Sequence, residues 1–308
     1  MTNIIIIGYG NLGRAVERQI QSRPNEFKLI KIFSRRSYPP PQLESMLSDI
    51  SAHKPHFDVA LFCGGSQDDA PIIMPELASL GISTVDSYDN HSNVWHYLDT
   101  LKPQNSTHIT CAGWDPGFLS LQRILAQAIT PNAVQTTLYG GEAGGLSMGH
   151  SNAVRNVTNV INAVQLTHTR PDALLDAQKG KSIPKHLRHK RVCWVVADAP
   201  HHAQIERDIK QIPEYFLNQE VVVNFISQSE FNHRFSNYTS HSGRQIATSS
   251  DITINTEITT TSNMDLTANI MLAYAKANHH MQSQDQHGVF TIADVPLAYL
   301  LNSHINII

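Results

Sequence analysis

Two aspartates, each closing a short apolar run, hold the chemistry that is easiest to read in this sequence. Asp89 stands in Asp86-Ser87-Tyr88-Asp89-Asn90-His91, and Asp115 in Ala112-Gly113-Trp114-Asp115-Pro116-Gly117. With no arginine in either stretch, such a pair suits an ammonium or iminium group better than a carboxylate. Trp114 is placed to wall a pocket and exclude water. The alternative is an Asx-turn at each site, with Asp115 capping the helix that follows.

A second constellation is Gly8-x-Gly10-x-x-Gly13, with Asn11 and Leu12 between its last two glycines, directly after four consecutive isoleucines. The glycines serve three physical ends, namely a tight turn, close approach of backbone to a pyrophosphate, and close packing of helix on strand. The N–H groups of the following helix then face the phosphates. About 20 residues on, a site for plain ribose hydroxyls needs an acid. Here the chain reads Phe33-Ser34-Arg35-Arg36, and a serine with two arginines suits a 2′-phosphate. NADP(H) is therefore expected over NAD(H). A third small-residue stretch, Cys63-Gly64-Gly65-Ser66, would let backbone pass beneath a dinucleotide at Gly64 and Ser66, or is a plain turn.

These residues need strand ends to present them. The isoleucine run reads as a strand buried on both faces, as in a parallel sheet. Further strands are expected over 28–34, 58–63, 82–86 and 108–112, with Pro39-Pro40-Pro41 forcing a loop between the second and third. Right-handed crossovers put the ligand crevice at the carboxyl ends of such strands. After residue 117 the texture changes. Glycines at 140, 141, 144 and 145 lead into Leu146-Ser147-Met148-Gly149-His150-Ser151, and a helical pattern is read from 152 to about 166. Strand-like runs follow at 191–197, 220–226 and 252–261, then a helix over 266–277. The expected fold is α/β: a Rossmann-type dinucleotide-binding domain (1–117), and an α+β substrate-binding and dimerisation domain with an open mixed sheet (118–264). The segment 265–308 is expected to pack back on the first domain.

Composition excludes other classes. The 308 residues are 41% hydrophobic and carry a formal net charge of −3, so neither a nucleic-acid-binding basic excess nor an acidic tail is present. No charged segment precedes an apolar run, and no apolar run approaches a membrane span, so a cytoplasmic protein without membrane partners is expected. The three cysteines, Cys63, Cys111 and Cys193, support no disulfide framework and read as buried thiols. Among the 17 histidines, His186/His189, His201/His202 and His279/His280 lie among polar residues on expected loops or helix surfaces, without the ligands a metal needs.

At these residues the chain resembles the meso-diaminopimelate D-dehydrogenases. The resemblance covers nearly the whole length, through the stretches 8–14, 33–36, 88–91, 113–117, 146–151, 190–199 and 220–226. It implies an NADP-dependent homodimer of lysine and cell-wall metabolism. The implied reaction is reversible oxidative deamination of the D-centre of meso-2,6-diaminopimelate to L-2-amino-6-oxopimelate and ammonia. By the same resemblance, Asp89 and Asp115 hold the reacting amino group beside Trp114. Met148 and Gly149 offer backbone N–H groups, and Thr167, Arg191, His241 and Asn263 grip the distant L-centre, with Arg191 on its carboxylate. Two departures stand out: the segment 140–145 is longer than the family's turn, and Tyr139 stands where a tryptophan is expected.

The charges fit that substrate independently. Diaminopimelate carries two carboxylates and two ammoniums, so its site needs both signs, and the inert centre can act as a ruler that orients the reacting C–H. Rivals are another NADP-dependent D-amino-acid dehydrogenase or reductase on the same plan, and a non-catalytic NADP sensor. Paired aspartates with Arg191 speak against a dihydrodipicolinate reductase, whose cyclic substrate has no ammonium.

Overall fold

The computed structural model describes residues 1–39, 42–90, 93–213 and 215–301. Pro40 and Pro41, His91 and the tail 302–308 lie outside the described residues. The chain divides into two compact units, Met1–Leu121 with Met264–Ile308, and Gln122–Asn263.

In chain order the first elements are β1 (Thr2–Ile7), α1 (Asn11–Gln21), β2 (Phe27–Phe33), α2 (Leu43–His53), β3 (Val59–Phe62), α3 (Ala70–Ser79), β4 (Thr84–Asp86), α4 (Val94–Thr100), β5 (Thr107–Thr110) and α5 (Phe118–Ile129). The second unit follows with β6 (Val134–Tyr139), β7 (Gly145–Leu146), α6 (Met148–Arg155), β8 (Asn162–Thr169), α7 (Pro171–Gln178), β9 (His189–Val196), α8 (His202–Gln211), β10 (Glu220–Phe225), α9 (Gln228–Phe235), β11 (His241–Thr248) and β12 (Thr253–Thr260). The chain returns through α10 (Asn263–Ser283) and β13 (Gly288–Thr291).

The first unit is built on a six-stranded, all-parallel sheet of order β13-β5-β4-β3-β1-β2. The interior strand β1 explains the isoleucine run. Ile4 and Ile6 enter one core with residues of α1 and α10, while Ile5 and Ile7 enter the opposite core with residues of α2 and α3. A strand covered on both faces has no polar side, and each fully buried isoleucine contributes roughly 2–3 kcal/mol relative to exposure. Because β2 and β3 flank β1 on opposite sides, the order reverses at β1, and the crevice of such sheets lies at that switch. The return helix is stitched to the sheet by Asn278, fully buried, whose amide donates to the carbonyls of Thr84 (3.0 Å) and Thr107 (2.9 Å).

The second unit holds a four-stranded mixed sheet, β10-β9-β8-β7, and a three-stranded antiparallel sheet, β12-β11-β6. The helix expected from 152 to about 166 is a correction: α6 ends at Arg155, and 162–169 is the strand β8. Asn159 turns the chain in the left-handed region (φ +68°) between them. Both faces of β8 are covered, so its apolar residues follow no clean period 2 and overlap with a helical one. His189 also departs from its expected loop: it opens β9 and is buried. The strands β6, β7 and β11 were not legible either, being short or threaded with Gly, Gln and Thr.

Candidate active-site residues

In the first unit, the glycines fit the roles expected of them. A β-carbon on Gly8 (φ +97°) would stand 2.8 Å from the backbone of Cys63 and Gly64, and one on Gly13 would stand 2.2 Å from the Gly8 carbonyl oxygen. Packing therefore demands both. Gly10 is different: a β-carbon there would meet nothing within 4 Å. The space above Gly10, at the start of α1, is open to a phosphate that approaches the backbone, and no acidic residue occupies that helix's first turn. The residues present fit a dinucleotide. Asn11 accepts a hydrogen bond from Arg14 (2.9 Å), and Leu12 packs against the core.

Beyond β2, the Ser34 carbonyl accepts from the N–H groups of Ser37 and Tyr38, which turns the chain so that Arg35 and Arg36 are exposed. Arg35 lies 3.3 Å from Asp69, whose carboxylate also accepts the Gly65 N–H at 2.8 Å. Arg35 thus reaches across to the 64–69 segment, and the positive charge of Arg36 is felt at the Tyr9 phenol. Ser66 accepts the backbone N–H of Asp89 at 3.2 Å, which ties the end of β3 to the segment after β4. Gly64 is closely lined, with a β-carbon there 2.6 Å from the Phe62 ring.

The segment carrying Asp115 is a closed loop. Phe118 and Leu119 donate N–H groups back to the carbonyls of Gly113 (3.0 Å) and Trp114 (2.8 Å), and the Asp115–Pro116 peptide is cis. Gly117 (φ +143°) is required, since a β-carbon would stand 1.6 Å from the Gly113 oxygen. Trp114 and Asp115 are half-buried, whereas Asp89 is exposed.

In the second unit, β8 and β9 place Thr167 directly opposite Arg191, and the Arg191 guanidinium donates to the Thr167 hydroxyl at 2.6 Å. The same sheet face is apolar at Ala163, Cys193 and Val195 and becomes polar at Gln165, Thr167, His189 and Arg191. An apolar core face thereby becomes a polar one along the same pair of strands. No carboxylate among the described residues pairs with Arg191, and its Nε is buried without a hydrogen-bond partner. Burial lowers its pKa to about 10, still charged at neutral pH. Burial and the Arg191 charge lower the imidazoles of His150 and His189 to about 3 and that of His241 to about 4. These rings are neutral, and Arg191 is the positive charge among them. His241 stands against Gly145, where a β-carbon would lie 2.8 Å from the ring. Asn263 begins α10, donates its N–H to the Thr239 carbonyl (3.0 Å), and buries a side-chain oxygen with no hydrogen-bond partner.

Met148 and Gly149 open α6, so their N–H groups are among those a helix leaves unpaired. The preceding Ser147 hydroxyl is 2.6 Å from His150 Nδ1. Tyr139 stacks on His189 with ring centroids 5.4 Å apart and donates its N–H to His189 Nε2 at 2.9 Å. The glycine-rich turn is pinned: Gly144 N–H bonds the Gly140 carbonyl, and the Tyr238 hydroxyl donates to Gly144 O at 2.7 Å. His150 and His189 were missed as site neighbours. His189 was detectable, being two residues before Arg191 and hence on the same strand face.

Comparison with known proteins identifies the family. Residues 113–268 match the family model described as the diaminopimelic acid dehydrogenase C-terminal domain. The chain is 37% identical to meso-diaminopimelate D-dehydrogenase of Corynebacterium glutamicum, over 98% of this chain and 96% of that one. It is 34% identical to the enzyme of the same name from Lysinibacillus sphaericus, over 96% and 94%. Among solved structures, C. glutamicum DAP dehydrogenase in complex with DAP superposes with a TM-score of 0.88 at 34% identity, covering 98% of this chain and 96% of that one. An engineered D-amino acid dehydrogenase bound to NADP+ gives 0.82 at 33%, covering 99% and 97%. The chain belongs to the meso-diaminopimelate D-dehydrogenase family of amino-acid dehydrogenases.

Proposed function

We propose that the protein catalyses the reversible, NADP-dependent oxidative deamination of the D-centre of meso-2,6-diaminopimelate, giving L-2-amino-6-oxopimelate and ammonia. In this reading it is a cytoplasmic homodimer serving lysine and cell-wall precursor synthesis. Residues 1–117, with 265–308, bind the dinucleotide, and 118–264 bind substrate and dimerise. The observation that carries the reading is the pair of unsatisfied buried groups in the second unit. Among the described residues, Arg191 has a buried Nε and no paired carboxylate, and Asn263 a buried acceptor oxygen with no donor. A buried polar atom left unpaired costs about 1–3 kcal/mol, and an amino acid's own carboxylate and ammonium would relieve both costs.

Gly8, Gly10, Asn11, Leu12 and Gly13, with Ser34, Arg35, Arg36, Gly64 and Ser66, would hold NADP+, which would supply the hydride acceptor. The chain's own residues do the rest. Asp89 and Asp115 take the reacting ammonium, and a water held by these carboxylates receives its proton. They then offset the positive charge of the iminium formed when hydride leaves the D-carbon. Trp114 limits the water that reaches this carbon until one molecule adds and ammonia departs. Met148 and Gly149 donate N–H groups to substrate, while Thr167, Arg191, His241 and Asn263 hold the L-centre.

The test is NADPH formation at basic pH with meso-, LL- and DD-diaminopimelate in parallel, repeated with NAD+. Turnover of the meso isomer alone, and with NADP+ only, supports the reaction, the cofactor and the role given to Arg191. Equal turnover of the DD isomer would remove the role given to Arg191. NADPH binding without turnover would leave a sensor.

A further inference from the structure

No step of this chemistry uses Asp86, yet its carboxylate is only 1% exposed and stands at the last residue of β4. Among the described residues no basic side chain pairs with it, and burial pushes its carboxyl above the usual carboxylate range. Four donors converge on it instead. One oxygen accepts the Tyr88 N–H at 2.9 Å, the Thr110 hydroxyl at 2.7 Å and the Cys111 N–H at 3.4 Å. The other accepts the Tyr97 hydroxyl at 3.1 Å. The Asp86 main-chain carbonyl accepts the Ala112 N–H at 2.8 Å.

These donors come from three separate segments. Tyr88 precedes Asp89, Tyr97 lies on α4, and Thr110 ends β5, from which 111–112 lead into the Asp115 loop. Cys111 adopts φ +59°, which is unfavourable for a residue with a β-carbon, and in that turn its N–H and the next both point at Asp86. The Tyr88 and Tyr97 rings stack at 4.0 Å and 5° around the same point. A lone buried carboxylate is costly, and an apolar residue would close a strand end at less cost. What Asp86 adds is a joint clamp on two strand ends.

We propose that Asp86 is a positioning residue for the reaction: it holds the segments that carry Asp89 and Asp115 in a single fixed relation. The inference rests on the functional reading given to those two aspartates. Misplacing groups by about an ångström at a reacting centre can cost on the order of 100-fold in rate. Asp86→Asn puts an amide N–H where only donors converge, so kcat for meso-diaminopimelate should fall by about 100-fold, while KM for NADP+ stays within about two-fold. Tyr97→Phe keeps the ring stack and removes one donor, so it folds even where Asp86→Asn does not, and its kcat should fall by about 3- to 10-fold.

The readout that separates positioning from plain stability is the primary deuterium isotope effect with substrate deuterated at the D-carbon. Values are normalised to active sites counted by NADPH binding. Misplaced carboxylates slow the hydride step, so the isotope effect on kcat should rise in both variants. An unchanged normalised kcat and isotope effect in folded variants would overturn the proposal and leave the function standing. Absence of turnover in the unaltered protein would instead sink the functional reading, and this inference with it.

Discussion

Arg191 shows how much a single residue's meaning depends on its partners. On a surface it would be a solvated cation. Here it is a half-buried charge opposite Thr167 among three neutral histidines, with a spare N–H. In the proposed reading, replacing it by leucine removes the group that, among the described residues of that face, can make a bidentate pair with the distal carboxylate. Charge-assisted hydrogen bonds contribute about 1.5–3 kcal/mol each, so kcat/KM for meso-diaminopimelate should drop by about 100-fold or more. KM for NADP+ should be unmoved in the same steady-state assay. His108 makes a prediction of a different kind. It is buried between the hydroxyls of Thr84 and Ser106, each 2.8 Å from a ring nitrogen, and burial lowers its pKa from 6.5 to about 4. The folded protein keeps this ring neutral while the unfolded chain takes up a proton below 6.5. Its stabilisation is therefore complete above pH 6.5 and is lost as pH falls toward 4, by roughly 3 kcal/mol in all. Urea unfolding of the protein and of His108→Asn at a series of pH values should show a slope shallower by about one proton in the variant.

At the scale of elements, the turn from β1 into α1 separates packing from binding. Gly13→Ala drives a β-carbon into the Gly8 carbonyl, so helix and strand must part and the melting temperature should fall by several degrees or more. Gly10→Ala meets only open space, so the melting temperature should hold while NADPH affinity, read by fluorescence titration, falls by at least about tenfold. If both variants bind NADPH as the parent does, the phosphates do not pass over this turn. The 113–117 loop makes a similar point about presentation. Gly117 and the two hydrogen bonds that close the loop fix Asp115, so the acid is held by backbone geometry rather than by a flexible turn.

At the scale of the molecule, the two units differ in sheet type. A parallel sheet brings all its strand ends to one edge, which is why glycines, arginines and aspartates far apart in sequence come to the same edge of the first unit's sheet. In the second unit, one face of the antiparallel pair β8 and β9 is apolar at one end and polar at the other. Among the described residues no helix is long and apolar enough to cross a membrane. Sedimentation equilibrium should return twice the chain's mass, and a monomer at micromolar concentration would remove the homodimer from the proposal.

Local pattern alone determined the parallel sheet and its glycine turn, because an unbroken isoleucine run and Gly8, Gly10 and Gly13 have few other physical uses. It also marked Asp89, Asp115 and Arg35–Arg36, whose places follow from strand ends. The strands expected over 28–34, 58–63 and 82–86 appear as Phe27–Phe33, Val59–Phe62 and Thr84–Asp86, and 108–112 as Thr107–Thr110. Tertiary structure decided the rest. That β8 is a strand and not the continuation of α6 depended on cover over both its faces, which no window of sequence contains. That His189 is buried beside Arg191, and that Asp86 gathers donors from Tyr88, Tyr97, Thr110 and Cys111, depended on contacts between segments far apart in the chain. Periodicity reports which way a side chain faces, but only packing reports what it meets there.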